Sequence, residues 1–245
     1  MNKIRIFKST NCVPFVASVR KAGVSTILAI LGLLGSTGAH AANPIVYSSG
    51  FEEASIAPFW TVTAAFGSAS LSKDFAYDGT HSIKFESSPG GQREISLAHS
   101  FGVSTRGTVS VAFYDYAPGQ ETLYEHLTIS NSKSPEFSVA VGTMDFDSEC
   151  YTAYMVTAAG TELGPNALCG IYPQTSTTPV KRTLGWHILT IAAGTTSTEI
   201  AIDGQTVFVG PVCYFDTIQF VVSGPSWRPD TSAYIDGFSF TPLSY

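Results

Sequence analysis

The amino-acid sequence predicts an all-β protein, a two-sheet antiparallel sandwich of the jelly-roll type. After residue 42, short stretches of alternating apolar and polar residues recur, with Gly, Pro, Asn or Asp between them. No stretch there keeps a helical periodicity, and no repeat of roughly 20 to 50 residues indicates a propeller or a solenoid. The chain has 245 residues, 44% of them apolar, which is enough for one large core. Many short strands on one such domain favour a jelly roll, which limits exposed sheet edges.

In the first half of this region the alternation predicts five strands, at 45–51, 81–86, 108–116, 123–130 and 137–141. The third of these strands alternates over the longest stretch. In it, Tyr114 and Tyr116 lie on the face opposite Val111 and Phe113. We therefore expect one face of this strand to line the core and the other to carry the two tyrosines.

In the second half, the same pattern predicts strands at 186–192, 199–202, 206–209, 217–222 and 233–241. Asp203-Gly204 is typical of a tight hairpin turn, and it joins the second and third of these strands. In the fourth strand, Ile218, Phe220 and Val222 share one face. These residues are predicted to face the core.

The N-terminal segment has the features of a secretory signal peptide. Residues 1 to 21 hold five basic residues and no acidic one, and an apolar run follows from 22 to 34. The small-residue site Ala39-His40-Ala41 comes next, so we predict removal of residues 1–41 and a single domain at 42–245. The apolar run is short for a bilayer span, which argues against the alternative, an uncleaved anchor. The expected location is secreted or periplasmic.

The predicted mature chain is strongly acidic. The leader carries five of the 13 basic residues and none of the 19 acidic ones, so eight basic residues remain and the net charge becomes −11. Such a surface repels nucleic acid and anionic lipid, so we expect neither as a partner. It is compatible with cation binding. No later segment is apolar enough to span a membrane.

Three cysteines remain after the leader: Cys150, Cys169 and Cys213. Cys150 and Cys169 bracket an 18-residue insert, and we predict a disulfide between them. Closing a loop of that size contributes about 3 kcal/mol in the chain-entropy view. Cys213 is then a buried free thiol, or it pairs with one of the other two. The spacings match no zinc site.

Four short segments, in their order and spacing, resemble the concanavalin A-like lectin/glucanase superfamily, particularly the LamG-like jelly rolls of bacterial secreted proteins. They are GFEE at 50–53 with Phe59-Trp60, DGTHSIKF at 78–85, RTLGWH at 182–187 leading to IDG at 202–204, and YIDGF at 234–238. The resemblance covers the whole predicted mature chain. It implies a fold more than a function, since this fold carries lectins, glycosidases, lyases and adhesion modules.

The resemblance also implies a structural Ca²⁺ between the first and last strands, with Glu52 and Asp236 as side-chain ligands and Asp78 as a third. Simple alternation puts Asp236 on one core-facing side with Tyr234, Phe238 and Phe240, where an unpaired carboxylate is costly. Calcium accepts six to eight oxygen ligands and suits a carboxylate at a strand end. The alternatives are a carboxylate that accepts backbone amides and a bulge that turns Asp236 outward.

A second candidate site is a sugar-binding surface. Sugar rings rest their apolar faces on aromatic rings, and nearby polar groups fix the hydroxyls. Tyr114 and Tyr116 offer such rings on their strand face, and Trp227 and Arg228 lie in a loop where a large aromatic residue is not obviously core. The alternative is ordinary packing of these rings. Trp60 and Trp186 are assigned to the core.

Catalytic signals are weak. Retaining glucanases of the resembled fold carry an E-x-D-x-x-E strand that puts two carboxylates on one face, and this chain has none. Asp145, Asp147 and Glu149 alternate, but a solvated acidic loop edge explains them better, and a metal-binding edge is a further alternative. A polysaccharide lyase needs Arg, His and Tyr on one sheet face, and Arg93, His99 and Tyr114 have the right chemistry without a spacing that joins them. The serine nucleophile elbow, the P-loop and the dinucleotide fingerprint are absent.

The sequence therefore leads to three hypotheses. The first is a non-catalytic, exported, lectin-like module that binds a polysaccharide or glycan and holds a structural Ca²⁺. The second is a structural or adhesive cell-surface or matrix protein without a sugar ligand. The third is a polysaccharide lyase or glycoside hydrolase, so whether the protein is an enzyme is left open, with the balance against it.

Overall fold

The computed structural model describes residues 47–116, 118, 124–143, 149–165, 169, 176–225 and 232–243. Within these residues the chain forms strands and no helix, so the predicted all-β class is confirmed. The strands are β1 (Tyr47–Ser49), β2 (Thr61–Ala65), β3 (Gly67–Ser72), β4 (Ser82–Ser87), β5 (Arg93–Thr105), β6 (Gly107–Asp115), β7 (Tyr124–Asn131), β8 (Ser134–Thr143), β9 (Cys150–Val156), β10 (Glu162–Leu163), β11 (Thr177–Lys181), β12 (Gly185–Ala193), β13 (Thr198–Ile202), β14 (Gln205–Gly210), β15 (Phe215–Gly224) and β16 (Ser232–Pro242).

The strands make two antiparallel sheets, which confirms the predicted sandwich. Sheet 1 has the order β14-β13-β12-β6-β16-β4-β3, and β1 also pairs with β16. Sheet 2 has the order β10-β9-β8-β7-β15-β5-β2, and β11 also pairs with β9. The first and last strands are direct neighbours, with Tyr47 opposite Phe240 and Ser49 opposite Phe238.

The core lies between the two sheets and follows the predicted alternation. Phe113, Ile191, Ile218 and Phe220 are all buried and belong to one hydrophobic cluster. Burying a side chain of this size contributes about 2 kcal/mol. The Asp203-Gly204 turn is also confirmed, since both residues have positive φ angles (51° and 76°), as a tight two-residue hairpin requires.

A β-bulge in β16 corrects the predicted position of Asp236. The register against β6 shifts between Asp236 and Ser239, so one extra residue reverses the alternation. Asp236 is therefore on the outer face of sheet 1 with Tyr234, whereas Phe238 and Phe240 point into the core. The prediction that Asp236 shares a face with Phe238 and Phe240 was wrong. Both alternatives are observed, because the bulge turns Asp236 outward and its carboxylate accepts backbone amides.

The two tryptophans assigned to the core behave differently. Trp60 is buried in the main cluster, as predicted. Trp186 is only partly buried and lies opposite Tyr114 on the outer face of sheet 1, so its assignment was wrong. The cause is the alternation of β12, in which the neighbouring His187 takes the inward position and is 8% exposed.

The predicted disulfide between Cys150 and Cys169 is present. Cys213 is a buried free thiol and does not pair with either of the other two cysteines. Thr198 Oγ1 donates a hydrogen bond to its sulfur at 3.1 Å.

The signal peptide and its cleavage site lie outside the described residues. Within the described part of the chain, no helix is long and apolar enough to cross a membrane.

Candidate functional site

The outer face of sheet 1 carries a cluster of aromatic rings. Trp186 from β12 and Tyr114 from β6 pack edge to face, with ring centroids 5.3 Å apart. The loop that joins β3 to β4 lies over these strands and adds two rings. Phe75 stacks on Tyr114 at 4.7 Å and contacts Tyr234 at 5.0 Å, and Tyr77 contacts Trp186 at 5.8 Å. We call these five residues the aromatic face.

The two loop residues of the aromatic face are open to solvent. Phe75 is 42% exposed and Tyr77 is 47% exposed, while Tyr114 and Trp186 beneath them are partly buried. An exposed aromatic patch of this kind is a candidate binding surface.

Charged groups border the aromatic face on the side of β4. Lys84 Nζ lies 3.3 Å from Asp74 Oδ2 and 6.0 Å from the centre of the Tyr234 ring. The hydroxyl of Tyr234 donates to the same carboxylate oxygen at 3.4 Å. The hydrogen bond and charge of Lys84 lower the pKa of Asp74, so the pair stays ionised at neutral pH. A positively charged ammonium group and a negatively charged carboxylate therefore lie beside the rings, and both can form hydrogen bonds.

Asp236 fixes the loop that carries Phe75 and Tyr77. Its Oδ2 accepts the backbone N–H of Tyr77 at 2.8 Å and that of Asp78 at 3.1 Å. Its Oδ1 accepts the N–H of Gly237 at 2.6 Å. Burial raises the pKa of Asp236, and the three amide donors oppose that shift. The bulge therefore places this carboxylate where it ties the loop to the sheet.

Glu52 holds the other end of the same loop. Its Oε1 accepts the N–H groups of Thr80 and His81, both at 2.7 Å, and its Oε2 accepts the Thr80 hydroxyl at 2.8 Å. His81 Nδ1 lies 3.1 Å from Oε2, and this contact is the main reason that the pKa of Glu52 falls to about 2. Gly79 allows the approach, because a Cβ there would collide with Glu52 Oε1.

The structure brings the three predicted calcium ligands to this one loop, but it surrounds them with hydrogen-bond donors. Both oxygens of Glu52 accept two contacts each, and Asp78 Oδ1 accepts the N–H of Gly79. Calcium needs six to eight oxygen ligands, which amide donors do not supply. Within the described residues, no group of three acidic, His or Cys side chains suits a metal ion. The arrangement fits an amide-anchored loop better than a metal site, and calcium stays a prediction.

The remaining predicted sugar-binding residues are less informative. Tyr116 follows directly after the end of β6 and is partly buried. Trp227 and Arg228 lie outside the described residues. Sequence reasoning missed Phe75, Tyr77 and Trp186. The DGT segment at 78–80 could have indicated the turn in this loop, but it was interpreted only as part of the DGTHSIKF motif.

The outer face of sheet 2 has a different chemistry, since its side chains are small or polar. On β7 the outward residues are His126 and Thr128, and Thr128 has Gln219 and Ala140 as neighbours. The Nδ1 of His126 and the Oγ1 of Thr128 are shielded from solvent and have no hydrogen-bond partner in the described part of the chain. Burial lowers the pKa of His126 to about 4, so the ring is neutral at pH 7.

The predicted catalytic sets are not assembled. Arg93 is buried and donates from Nε to Ser88 O at 3.2 Å, whereas His99 stacks on Phe59 with ring centroids 3.8 Å apart. Tyr114 belongs to sheet 1, so the proposed lyase combination was wrong. Asp145 and Asp147 lie outside the described residues. Glu149 precedes β9, and its backbone carbonyl accepts the N–H of Arg182.

A buried polar cluster joins the two sheets at one end. Arg182 makes a two-pronged ion pair with Asp115, with both N–O distances 2.8 Å, and Tyr151 donates to the same carboxylate at 3.1 Å. Glu125 is 1% exposed in the same region. Burial and the charge of Asp115 raise its pKa well above the usual range, against the opposing charge of Arg182.

The GWH and IDG segments are structural. Asp203 accepts the N–H of Ile188 at 2.8 Å and lies 2.7 Å from Nδ1 of His187. The other ring nitrogen of His187 contacts the carbonyl of Thr183 at 2.7 Å. These contacts lock the hairpin turn onto β12, so His187 is a packing residue.

No protein-family profile and no curated protein sequence matches the chain. Solved structures do match. A cellulose-induced protein is 14% identical with a TM-score of 0.58, covering 80% of this chain and 96% of that one. The β-glucanase of Bacillus licheniformis is 9% identical with a TM-score of 0.54, covering 80% and 97%. The laminarinase catalytic domain of Thermotoga maritima is 12% identical with a TM-score of 0.53, covering 83% and 99%.

The likeness to these structures extends over most of each chain. At such low identity it concerns the fold and not the chemistry. It agrees with the two antiparallel sheets of the described chain. The chain has the concanavalin A-like jelly-roll fold.

Proposed function

We propose that the protein is an exported carbohydrate-binding module that holds a polysaccharide on the aromatic face. The observation that carries this proposal is the anchored loop, which presents Phe75 and Tyr77 to solvent above Trp186 and Tyr114. Aromatic rings bind the apolar faces of sugar rings, and the bordering Lys84 and Asp74 suit hydroxyl groups. The predicted signal peptide and the disulfide support export, because disulfides persist in oxidising compartments.

The chemistry of the chain favours a neutral polysaccharide. The predicted mature chain has a net charge of −11, so an acidic polymer would be repelled. Two of the similar structures are named for enzymes that act on β-glucans, a β-glucanase and a laminarinase. Soluble β-glucans are therefore the first ligands to test.

The test is affinity electrophoresis in gels that contain a soluble β-glucan, with a neutral α-glucan as the comparison. We expect Trp186→Ala and Tyr77→Ala each to weaken binding about tenfold, the loss of one stacking contact. Tyr214→Ala is the matched control, because Tyr214 is 46% exposed but lies away from the aromatic face, against Arg106. Equal retardation of Tyr77→Ala and the unmodified protein would contradict this surface, and no retardation by any neutral glycan would contradict the function.

A polysaccharide lyase is the second candidate, and one observation favours it. His126 is neutral at pH 7 and partly exposed on the outer face of sheet 2, a face that also carries Gln219 and Tyr154. In β-elimination a base takes the C5 proton of a uronate, the C4–O bond breaks, a C4–C5 double bond forms, and the leaving oxygen takes up a proton. Neutral His, Tyr and Gln groups suit these steps.

The lyase hypothesis is tested by measuring the absorbance of the unsaturated product. A lyase releases unsaturated uronates from alginate or pectate, and His126→Ala abolishes the release while Tyr77→Ala leaves it unchanged. A mixture of uronate polymers that gives no absorbance change would exclude the lyase and leave the binding module.

A further inference from the structure

A cavity of about 410 Å³ lies where the chain crosses from sheet 1 to sheet 2, between β1 and β2. Its size is at the lower end of the range for small-molecule sites, roughly 300 to 1,000 Å³. It belongs neither to the aromatic face nor to the outer face of sheet 2. The lining residues are Tyr47, Ser48, Ser49, Phe51, Glu53, Ser55, Ile56, Ala57, Pro58, Phe59, Trp60 and Phe238.

The cavity combines aromatic walls with a small set of polar groups. The rings of Tyr47 and Phe59 lie 5.9 Å apart, and Phe238 lies 6.0 Å from Phe59. The polar groups come from one short segment, where Ser49 Oγ donates to Glu53 Oε2 at 3.3 Å. Aromatic walls with a carboxylate and hydroxyls are the chemistry that recognises a cyclic polyol.

Trp60 gives an independent indication of a ligand. It is 7% exposed and lines the cavity, yet its indole Nε1 has no hydrogen-bond acceptor in the described part of the chain. A buried donor without an acceptor is destabilising, so native proteins rarely keep one without a reason. A hydroxyl oxygen of a bound molecule would supply that acceptor.

The backbone of the cavity lining is also unusual at Phe51. Phe51 is 1% exposed and has a φ of 54°, in the left-handed region that a bulky residue rarely adopts. The Ser49 hydroxyl accepts its N–H at 3.1 Å and holds it there. This turn sends Glu52 towards the loop of the aromatic face and leaves Glu53 on the cavity. Strained residues of this kind are concentrated at ligand sites.

We propose that the cavity is a second sugar subsite, which takes one sugar residue from the end of a glycan chain. The volume of the cavity suits a single sugar ring, whereas the open aromatic face suits a longer stretch of polymer. The choice of a sugar as ligand rests on the proposed function; the existence of the site rests on the cavity and on Trp60.

Tryptophan fluorescence separates the two sites, because each contains one tryptophan. We use Trp227→Phe as the background and add either Trp186→Phe or Trp60→Phe. Titration with glucose and with short gluco-oligosaccharides should still change the emission of the Trp186→Phe protein, which reports Trp60. In the same protein Glu53→Gln should weaken this response about tenfold, since a charged acceptor is lost.

Glu199→Gln is the matched control, because Glu199 is exposed on β13 and away from the cavity. A response from Trp186 with none from Trp60 would overturn the subsite and leave the proposed function in place. A response from Trp60 that Glu53→Gln leaves unchanged would also overturn it. A response from Trp60 alone would support the cavity and contradict the aromatic face, and silence from both would overturn the two together. Circular dichroism of each variant checks that it is folded.

Discussion

Among single residues, Asp236 has the largest expected effect on the aromatic face although it touches no exposed ring. Its carboxylate accepts three backbone amides, two of them from the loop that carries Tyr77. Asp236→Asn turns an acceptor into a donor opposite these amides. We expect the free energy of unfolding to fall by about 1 to 3 kcal/mol, the cost of a lost charged hydrogen bond. Thermal unfolding measures this loss.

The positioning role of Asp236 has its own readout. Hydrogen exchange at the amides of Tyr77 and Asp78 should quicken in Asp236→Asn, together with weaker glycan binding. Asp78→Asn is the control, because Asp78 is exposed and, among the described residues, its side chain accepts the N–H of its neighbour Gly79 and holds no distant part of the loop. Unchanged exchange at Tyr77 in Asp236→Asn would show that the carboxylate does not hold the loop.

The carboxylates of Glu52 and Asp236 determine whether added calcium changes the melting temperature. Glu52 and Asp236 already accept amide donors, and a metal ion would have to displace them. We therefore expect equal melting temperatures with added Ca²⁺ and with a chelator. A rise in the melting temperature with Ca²⁺ that Glu52→Gln abolishes would establish the metal instead.

Glu125 makes the stability depend on pH in a defined direction. The raised pKa means that, above the usual value of 4.5, the folded protein holds a proton that the unfolded chain has released. The free energy of unfolding therefore falls as the pH rises, by about 1.4 kcal/mol for each unit of pKa elevation. Below pH 4.5 both states are protonated and the effect vanishes.

Glu125→Gln removes this dependence, because glutamine does not titrate. We expect the variant to melt at a higher temperature than the unmodified protein at pH 8, and the two curves to converge as the pH falls below 4.5. Melting temperatures over pH 3 to 8 measure the difference. A gap that widens towards low pH would mean that Glu125 is ionised in the folded protein.

Among the elements, the β3–β4 loop and the β13–β14 turn offer a matched pair of glycines. Gly79 (φ 69°) and Gly204 (φ 76°) share the left-handed conformation, but only at Gly79 would a Cβ meet other atoms, the carboxylate of Glu52. Gly204→Ala should cost about 1 kcal/mol from the backbone alone. Gly79→Ala should cost more and should also weaken glycan binding, which Gly204→Ala leaves unchanged.

The strands that the sequence predicts are those with large apolar residues at every second position. β6 and β15 follow this rule, since Phe113 and Phe220 alternate with smaller or polar side chains. β5 was missed because its outward positions hold Ser96 and Ala98, which are themselves buried or partly buried and blur the alternation. Alternation identifies a strand only when its two faces differ in chemistry.

The candidate site was predicted only in part, for two physical reasons. Tyr114 was placed on the correct face, because β6 has no irregularity up to that residue. The bulge at Asp236 is invisible to a rule of alternation, since a single inserted residue inverts everything that follows. Phe75 and Tyr77 lie in a loop whose position depends on carboxylates more than 20 residues away, and no local pattern encodes that contact.

For the whole molecule, the inner and outer faces of the two sheets differ in chemistry. The inward faces form one hydrophobic cluster, the outer face of sheet 1 carries rings, and the outer face of sheet 2 carries small polar groups. A jelly roll allows this because each strand contributes to the core with every second residue and leaves the others free to vary. The aromatic face therefore depends on the core for its rigidity and not for its chemistry.

The pairing of β1 with β16 has a practical consequence for engineering. Tyr47 and Phe240 are opposite each other in an antiparallel pair, so their Cα atoms are only about 5 Å apart. The points where the described chain enters and leaves the sandwich are thus neighbours. The domain can be spliced into a surface loop of a host protein, or permuted with a short linker across this gap, without stretching its backbone.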